Sequence, residues 1–210
     1  MKKIVKIFLE TGELKTSEAV FIETLLRTRF GKKLGEDFEI VPVGGWTKLE
    51  EKLGRLPEKL GLEIEKILIV FDADSPGKAD GGVGSRTNAI RKIIDARNLS
   101  YEQREKIDVF LFPDNHDDGD FETLLERIVN KGDNTRFFDC FSDFEKCLGD
   151  AYEHPNLKAK MHSYINLQKG LSRSQRDGLG RGRWLFDDKK YWDLDSPALE
   201  PLKEFFSKNL

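Results

Sequence analysis

Short apolar runs alternate with longer amphipathic segments along the first two thirds of the chain. Three runs are rich in Val, Ile and Phe, and each ends at polar or turn-forming residues: 4–9, 66–71 (KILIVF) and 108–112 (DVFLF). A fourth, weaker run covers 38–43 (FEIVPV), and Pro42 marks its end because proline cannot continue a hydrogen-bonded ladder. Runs this short and this apolar predict buried strands of a parallel sheet.

Helical patterns lie between these runs. The clearest covers 17–30, where apolar residues recur at helical spacing between a capping Thr16 or Ser17 and a terminating Gly31. A second, broken helix is predicted over 46–53 and 56–60, interrupted by Gly54 and Pro57, and further helices are predicted at 86–98 and 121–129. Strands that alternate with helices predict an α/β fold, a doubly wound parallel four-stranded sheet with helices on both faces. We expect the strand order 2-1-3-4, which makes the first and third strands neighbours.

The remaining third of the chain has a different pattern. It is mostly helical, with predicted helices at 139–148, 157–167 and 197–206, and a turn-rich stretch (GLSRSQRDGLGRGRW) before the last of them. We therefore divide the chain into an α/β core (1–134) and a helical C-terminal extension (135–210) packed on it.

Composition and termini predict a cytoplasmic protein. The first residues (MKKIVKIFLE) lack the long apolar stretch of a signal peptide, and no window approaches the ~18 apolar residues of a membrane span. Cys140 and Cys147 lie seven positions apart, which is neither a CxxC pair nor a zinc pattern. We interpret them as reduced, partly buried thiols.

The charge balance limits binding to nucleic acid. With 35 basic and 38 acidic side chains the net charge is −3, so no global basic field attracts DNA or RNA and a local patch is required. One candidate patch precedes Trp184 and is interleaved with glycines: Lys169, Arg173, Arg176, Arg181 and Arg183. These side chains suit a phosphate backbone, although a solvated loop is an equally good interpretation.

Acidic residues follow the predicted strands. Glu10 ends the first strand, and Asp72 and Asp74 end the third. The segment after the fourth strand carries five more acids: Asp114, Asp117, Asp118, Asp120 and Glu122. Carboxylates gathered at one edge repel one another and need a cation, and hard oxygen ligands suit Mg²⁺ or Mn²⁺. Alternatively, these acids solvate the rim of the sheet or cap the next helix.

These residues resemble a known signature. Glu10 with Gly12, the pair Gly44–Gly45, and FDADSPG after the third strand look like the Toprim domain of topoisomerases, primases and OLD-type nucleases. Later motifs are similar to one family of small Toprim-like proteins that is catalogued as a domain of unknown function: FPDN, GDFETLLERI, KAKMHSYINLQKG and WDLDSPALEPLKEFF.

The resemblance implies a metal site and a proton-transfer group. It implies that Asp72 and Asp74 hold Mg²⁺ or Mn²⁺ and that Glu10 is the general acid or base of phosphoryl transfer. From their position after the last strand, we expect Glu122 or Asp120 to supply a third acidic arm. Thr11 separates Glu10 from Gly12 and the segment GELKTSE is inserted, so Glu13, Glu18 or Glu23 are alternatives to Glu10.

Two functions remain open from the sequence. The first is a divalent-metal-dependent phosphodiesterase, or nuclease-like hydrolase, that acts on DNA or RNA. The second is a non-catalytic relative that binds metal, nucleotide or a protein partner without turnover, and the acidic net charge favours it. A third hypothesis, nucleotidyl transfer as in primases, has no nucleotide-recognition motif to support it.

Overall fold

The computed structural model describes residues 3–210, apart from the side chain of Asp133, and contains the predicted parallel sheet. Its strands are β1 (Ile4–Leu9), β2 (Phe38–Pro42), β3 (Ile64–Asp72) and β4 (Ile107–Phe112). They lie in the order β2-β1-β3-β4 with parallel pairing throughout. The predicted α/β fold class and the predicted strand order are confirmed.

Helices connect and cover the strands. In chain order they are α1 (Ser17–Phe30), α2 (Leu49–Leu53), α3 (Val83–Asp95), α4 (Tyr101–Arg104), α5 (Phe121–Ile128), α6 (Lys131–Leu148), α7 (Leu157–Asn166), α8 (Arg173–Leu179) and α9 (Glu200–Asn209). Short 3-10 turns occur at Trp46–Lys48, Leu56–Lys59, Gly149–Ala151 and Pro197–Leu199. The bounds of α1 are those predicted, because Thr16 caps its first turn and Gly31 adopts a left-handed conformation at its end.

Alternation along β3 divides the core into two layers. Leu68 and Val70 belong to one buried cluster, whereas Ile67, Ile69 and Phe71 belong to the other, because successive strand residues point to opposite faces. The first layer is covered by α1, α5, α7 and α9, and the second by α2 and α3. Helices on both faces explain why apolar residues follow one another along β3 without alternating with polar ones.

The C-terminal third shares the first of these layers. Tyr164, Trp184 and Trp192 are buried in the same cluster as Ile7 and Leu9 of β1, so the two tryptophans pack in the core. Helix α6 runs through the boundary at 134/135 that the sequence suggested. The expectation of partly buried thiols is wrong, because Cys140 and Cys147 lie on exposed positions of α6.

Gly182 packs tightly against the beginning of α1. It has φ of 72°, and a Cβ atom there would collide with the backbone of Thr16 and Ser17 at the beginning of α1. We expect Gly182→Ala to lower the free energy of unfolding by about 2 kcal/mol or more, because strain and overpacking add. Gly180→Ala is the matched control, since its Cβ would meet no atom within 4 Å. Urea denaturation of both variants measures the difference, and equal losses would contradict this packing.

Within residues 3–210, the structure contains no helix that is both long enough and apolar enough to cross a membrane.

Candidate carboxylate site

A cavity lies at the carboxyl end of the sheet, where the neighbouring strands β1 and β3 lead in opposite directions to β2 and β4. In doubly wound sheets, ligands bind at this switch point. The cavity has a volume of about 280 Å³, and its charged lining residues are Glu10, Glu18, Asp72, Asp74, Lys78, Glu122 and Lys158. Four of the five acids predicted for the site therefore face it, and Glu18 is added.

Two backbone N–H groups, one in the turn after β2 and one at the end of β3, hold the Glu10 side chain in place. Its Oε1 accepts a hydrogen bond from the backbone N–H of Trp46, and its Oε2 accepts one from the N–H of Asp72, both at 3.2 Å. The Glu10 carbonyl oxygen accepts from the N–H of Gly44 at 3.1 Å and of Gly45 at 2.8 Å. The glycine pair noted in the sequence therefore fixes the end of β1 against the loop after β2.

Asp72 joins the end of β3 to the beginning of α5. Its Oδ1 accepts a hydrogen bond from the backbone N–H of Phe121 at 2.8 Å. Burial, followed by the charges of Glu18, Glu10 and Glu122, raises the pKa of Asp72 well above its usual value. The carboxyl group is thus held where other acids surround it.

Asp74 has a different environment from Asp72. It adopts φ of 62°, and its Oδ2 accepts a hydrogen bond from Nη2 of Arg86 at 2.6 Å, while Oδ1 pairs with Lys78. The Arg86 side chain is only 1% exposed, and its guanidinium lies 4.6 Å from the centre of the Trp46 ring. Two cations therefore already neutralise Asp74, the second of the two acids that follow β3 in FDADSPG.

Glu18 is the acid in the first turn of α1. Its Oε1 is buried without a hydrogen-bond partner in the described part of the chain. Burial, together with the charges of Glu10 and Glu122, raises the pKa of Glu18 to about 8. Of the three alternatives to Glu10, Glu13 is exposed and Glu23 lines a different cavity, so Glu18 is the one that joins the cluster.

The two acids of α5 have separate roles in the structure. Asp120 is the N-cap, and its Oδ1 accepts hydrogen bonds from the backbone N–H of Thr123 at 2.9 Å and from its hydroxyl at 2.7 Å. Glu122 is 8% exposed and lines the cavity, with Nζ of Lys158 at 3.8 Å from its Oε1. Burial raises the pKa of Glu122, although the charge of Lys158 partly offsets that effect.

This difference gives a prediction for two single variants. Asp120→Ala removes a helix cap, so we expect a loss of about 1 kcal/mol of stability and no change in affinity for Mn²⁺. Glu122→Ala is expected to change stability less and to weaken Mn²⁺ binding clearly. Thermal denaturation and calorimetric titration of each variant measure both quantities. If neither variant changes the Mn²⁺ affinity, α5 contributes nothing to a metal site.

The other acids after β4 stabilise the surrounding loop. Asp114 and Asp117 both pair with Arg127, at 2.6 Å and 2.8 Å. Asp118 accepts a hydrogen bond from the backbone N–H of Val83 at 2.8 Å. For these three residues the interpretation as rim and capping acids agrees with the contacts.

The donor set fits a hard divalent cation with water in its coordination shell. Among the described residues, no three His, Cys, Asp or Glu side chains already stand close enough together to enclose an ion. Mg²⁺ takes only one or two protein carboxylates directly and keeps several waters. The orphaned Oε1 of Glu18 and the raised carboxyl pKa values are features that such a cation would relieve.

The five residues of the predicted basic patch differ in their contacts. Arg176 donates hydrogen bonds to the carbonyl oxygens of Asn166 at 2.9 Å and Gln168 at 3.1 Å, at the end of α7. The other four side chains are exposed: Lys169, Arg173, Arg181 and Arg183. Only Arg181 and Arg183 line a cavity beside α1.

Comparison with known proteins identifies the family but no activity. No curated protein and no solved structure matches the chain. One family model, described as a protein of unknown function (DUF3226), matches residues 13–210, a range that contains every cavity carboxylate except Glu10. The expected link to a family of unknown function is confirmed, whereas the relation to Toprim domains stays a prediction. The chain therefore belongs to the DUF3226 family.

Proposed function

We propose that the chain is a Toprim-like, divalent-metal-dependent phosphodiesterase that cleaves nucleic acid. One observation carries the proposal. Four carboxylates from the ends of β1 and β3 and the beginnings of α1 and α5 line one cavity at the switch point of the sheet: Glu10, Asp72, Glu18 and Glu122. Burying like charges together costs stability, so a chain that concentrates acids here is expected to gain a function from them.

The contacts favour a particular set of metal-holding groups. We assign Mg²⁺ or Mn²⁺ to the group formed by Asp72, Glu122 and Glu18, with one or two of these carboxylates as direct ligands and water between the cation and the rest. All three face the cavity, and among the described residues the basic side chain that pairs with one of them is Lys158, 3.8 Å from Glu122. Asp74 is then a positioning residue, since Arg86 and Lys78 occupy both of its oxygens. When bound, the cation supplies stabilisation of the negative charge that develops on a phosphate group.

Other residues of the cavity suit the remaining steps. Burial raises the pKa of Glu10, which brings the group closer to the pH at which a general acid or base is most effective. Lys78 and Lys158 are largely exposed and stand at the rim. Their charges attract a phosphate toward the acids and reduce its repulsion by them.

Titration with Mn²⁺ or Mg²⁺, with and without a short DNA or RNA, tests the proposal when it is followed by electrophoresis of the nucleic acid. We expect metal-dependent cleavage that Asp72→Asn abolishes. Asp80→Asn is the matched control, because Asp80 is exposed, lies outside the cavity and has a positive φ that asparagine tolerates. Metal binding that Asp72→Asn leaves unchanged would contradict the assignment.

A second candidate function is supported by the state of Asp74. Because Arg86 and Lys78 neutralise that acid, and backbone N–H groups occupy both oxygens of Glu10, the cavity also suits a module that binds metal, nucleotide or a protein partner without turnover. Tight Mn²⁺ binding without cleavage of either DNA or RNA would favour this function over the first.

A further inference from the structure

We propose that a groove along α1, separate from the carboxylate cavity, holds the phosphate backbone of the nucleic acid. This inference rests on the proposed function for the choice of ligand and assigns the surface that binds it. The groove has a volume of about 360 Å³. Four exposed cations line it: Lys15, Arg27, Arg181 and Arg183.

The groove and the carboxylate cavity share one wall. Lys15 lines the groove, while the next three residues, Thr16, Ser17 and Glu18, line the cavity. Farther along α1, Val20, Glu23, Thr24 and Arg27 recur at helical spacing and continue the groove. At 1.5 Å per residue, the stripe from Val20 to Arg27 extends it by about 10 Å. A strand lying in the groove would therefore lead directly to the acids.

The charges of the groove leave free cations for a ligand. Arg27 pairs with Asp187 at 3.2 Å, and Glu23 is the other carboxylate of the lining. Four cations thus face two acids. Lys15, Arg181 and Arg183 have no ion pair or side-chain hydrogen bond with any described residue, so forming contacts with phosphate would break none of the chain's own interactions.

The arginines are carried by an anchored turn. Gly182 lies between them and packs on the backbone of Thr16 and Ser17. The backbone N–H groups of Arg181 and Arg183 donate to the carbonyl oxygen of Gly178 at 2.9 Å and 3.1 Å. A fixed turn presents the guanidinium groups with little loss of backbone entropy on binding, and guanidinium matches phosphate oxygens in a bidentate fork.

The apolar part of the lining favours nucleic acid over an acidic peptide. Leu14 is 50% exposed, and Val20 and Leu185 also line the groove. Sugars and base faces provide apolar surface beside each phosphate, whereas a run of acidic side chains does not. Of the basic residues predicted to contact nucleic acid, Arg181 and Arg183 line this groove, whereas Lys169 and Arg173 do not.

Fluorescence anisotropy with a labelled single-stranded DNA, in EDTA and at low salt, tests the groove without the metal. We expect Lys15→Ala, Arg181→Ala and Arg183→Gln each to weaken binding about 5-fold. Each should also reduce the slope of log K against log salt by about 0.7. The matched controls Lys169→Ala and Arg173→Ala remove the same charge elsewhere and are expected to leave affinity within about twofold.

Any of three results would overturn the proposal that the groove binds nucleic acid. The first is no DNA binding by the wild-type chain in EDTA, and the second is an equal loss of DNA affinity in the control variants. The third is competition by polyglutamate that is as effective as competition by DNA. Failure of the groove and failure of catalysis are distinguishable. Metal-dependent cleavage that Asp72→Asn abolishes, with unchanged DNA binding by the groove variants, overturns the groove alone. Weakened binding by those variants, without any metal-dependent cleavage, supports the groove and overturns the catalytic proposal alone.

Discussion

Replacing Arg86 with methionine is expected to lower the free energy of unfolding by about 3–5 kcal/mol, measured by urea denaturation. The guanidinium is 1% exposed and the carboxyl group of Asp74 is 12% exposed, so the variant leaves a nearly buried charge with only Lys78 as its partner. It also removes the cation beneath the Trp46 ring. Because the backbone N–H of Trp46 donates a hydrogen bond to Glu10, we expect the loss to reach the end of β1.

Two further variants separate this ion pair from general packing. In the double variant Arg86→Met with Asp74→Asn, no unpaired charge remains, and we expect at least half of the lost stability to return. Lys78→Met removes the other partner of Asp74, but Lys78 is 64% exposed, so its loss is expected to cost less than about 1 kcal/mol. A cost for Arg86→Met no larger than that for Lys78→Met would contradict the role of Arg86.

Glu18→Gln is expected to make the metal-free protein more stable at pH 8, by about 2 kcal/mol. The folded-state pKa of Glu18 is raised to about 8, whereas a glutamate in the unfolded chain titrates near its ordinary value. Between those two pH values the folded state binds more protons than the unfolded state. The stability of the wild-type chain therefore falls as the pH rises from about 5 to about 8.

The glutamine variant keeps the shape of the side chain and removes its titration. We expect the free energy of unfolding of this variant, measured with urea in EDTA, to fall between pH 5 and pH 8 by at most half as much as that of the wild type. The reduction is this large because the pKa of Asp72 also depends on Glu18. Glu13→Gln is the control, since Glu13 is exposed and does not line the cavity. An unchanged fall in Glu18→Gln, or an equal reduction in Glu13→Gln, would contradict the environment described for Glu18.

The fold was readable from the sequence where local pattern and tertiary structure agree. The apolar runs at 66–71 and 108–112 became β3 and β4 because strands buried on both faces show no alternation. Helix α8 was missed because glycines and charges hide its apolar face. Its capping box was visible in the sequence, however, as Ser172 followed three residues later by Gln175. In the structure the Ser172 hydroxyl accepts from the backbone N–H of Gln175, and the Gln175 side chain accepts from the backbone N–H of Ser172.

The candidate site was readable only in part. Acids at strand ends predicted the place, because parallel strands bring their carboxyl ends to one edge. The sequence did not separate Asp72 from Asp74, since the partner of Asp74 is Arg86, twelve residues later, and depends on how α3 packs. Glu18 has the sequence signature of an ordinary first-turn acid. Its burial opposite Glu10 and Glu122 appears only when α1 lies on the sheet.

Calorimetric titration with Mn²⁺ at pH 7, in two buffers of different ionisation enthalpy, tests the central claim most directly. If the cavity carboxylates bind the metal, Glu18 must lose the proton that its pKa of about 8 retains at pH 7. We predict the release of about one proton per bound Mn²⁺, reduced in Glu18→Gln and unchanged in Asp80→Asn. Absence of Mn²⁺ binding, or binding without proton release, would contradict a metal site in this cavity.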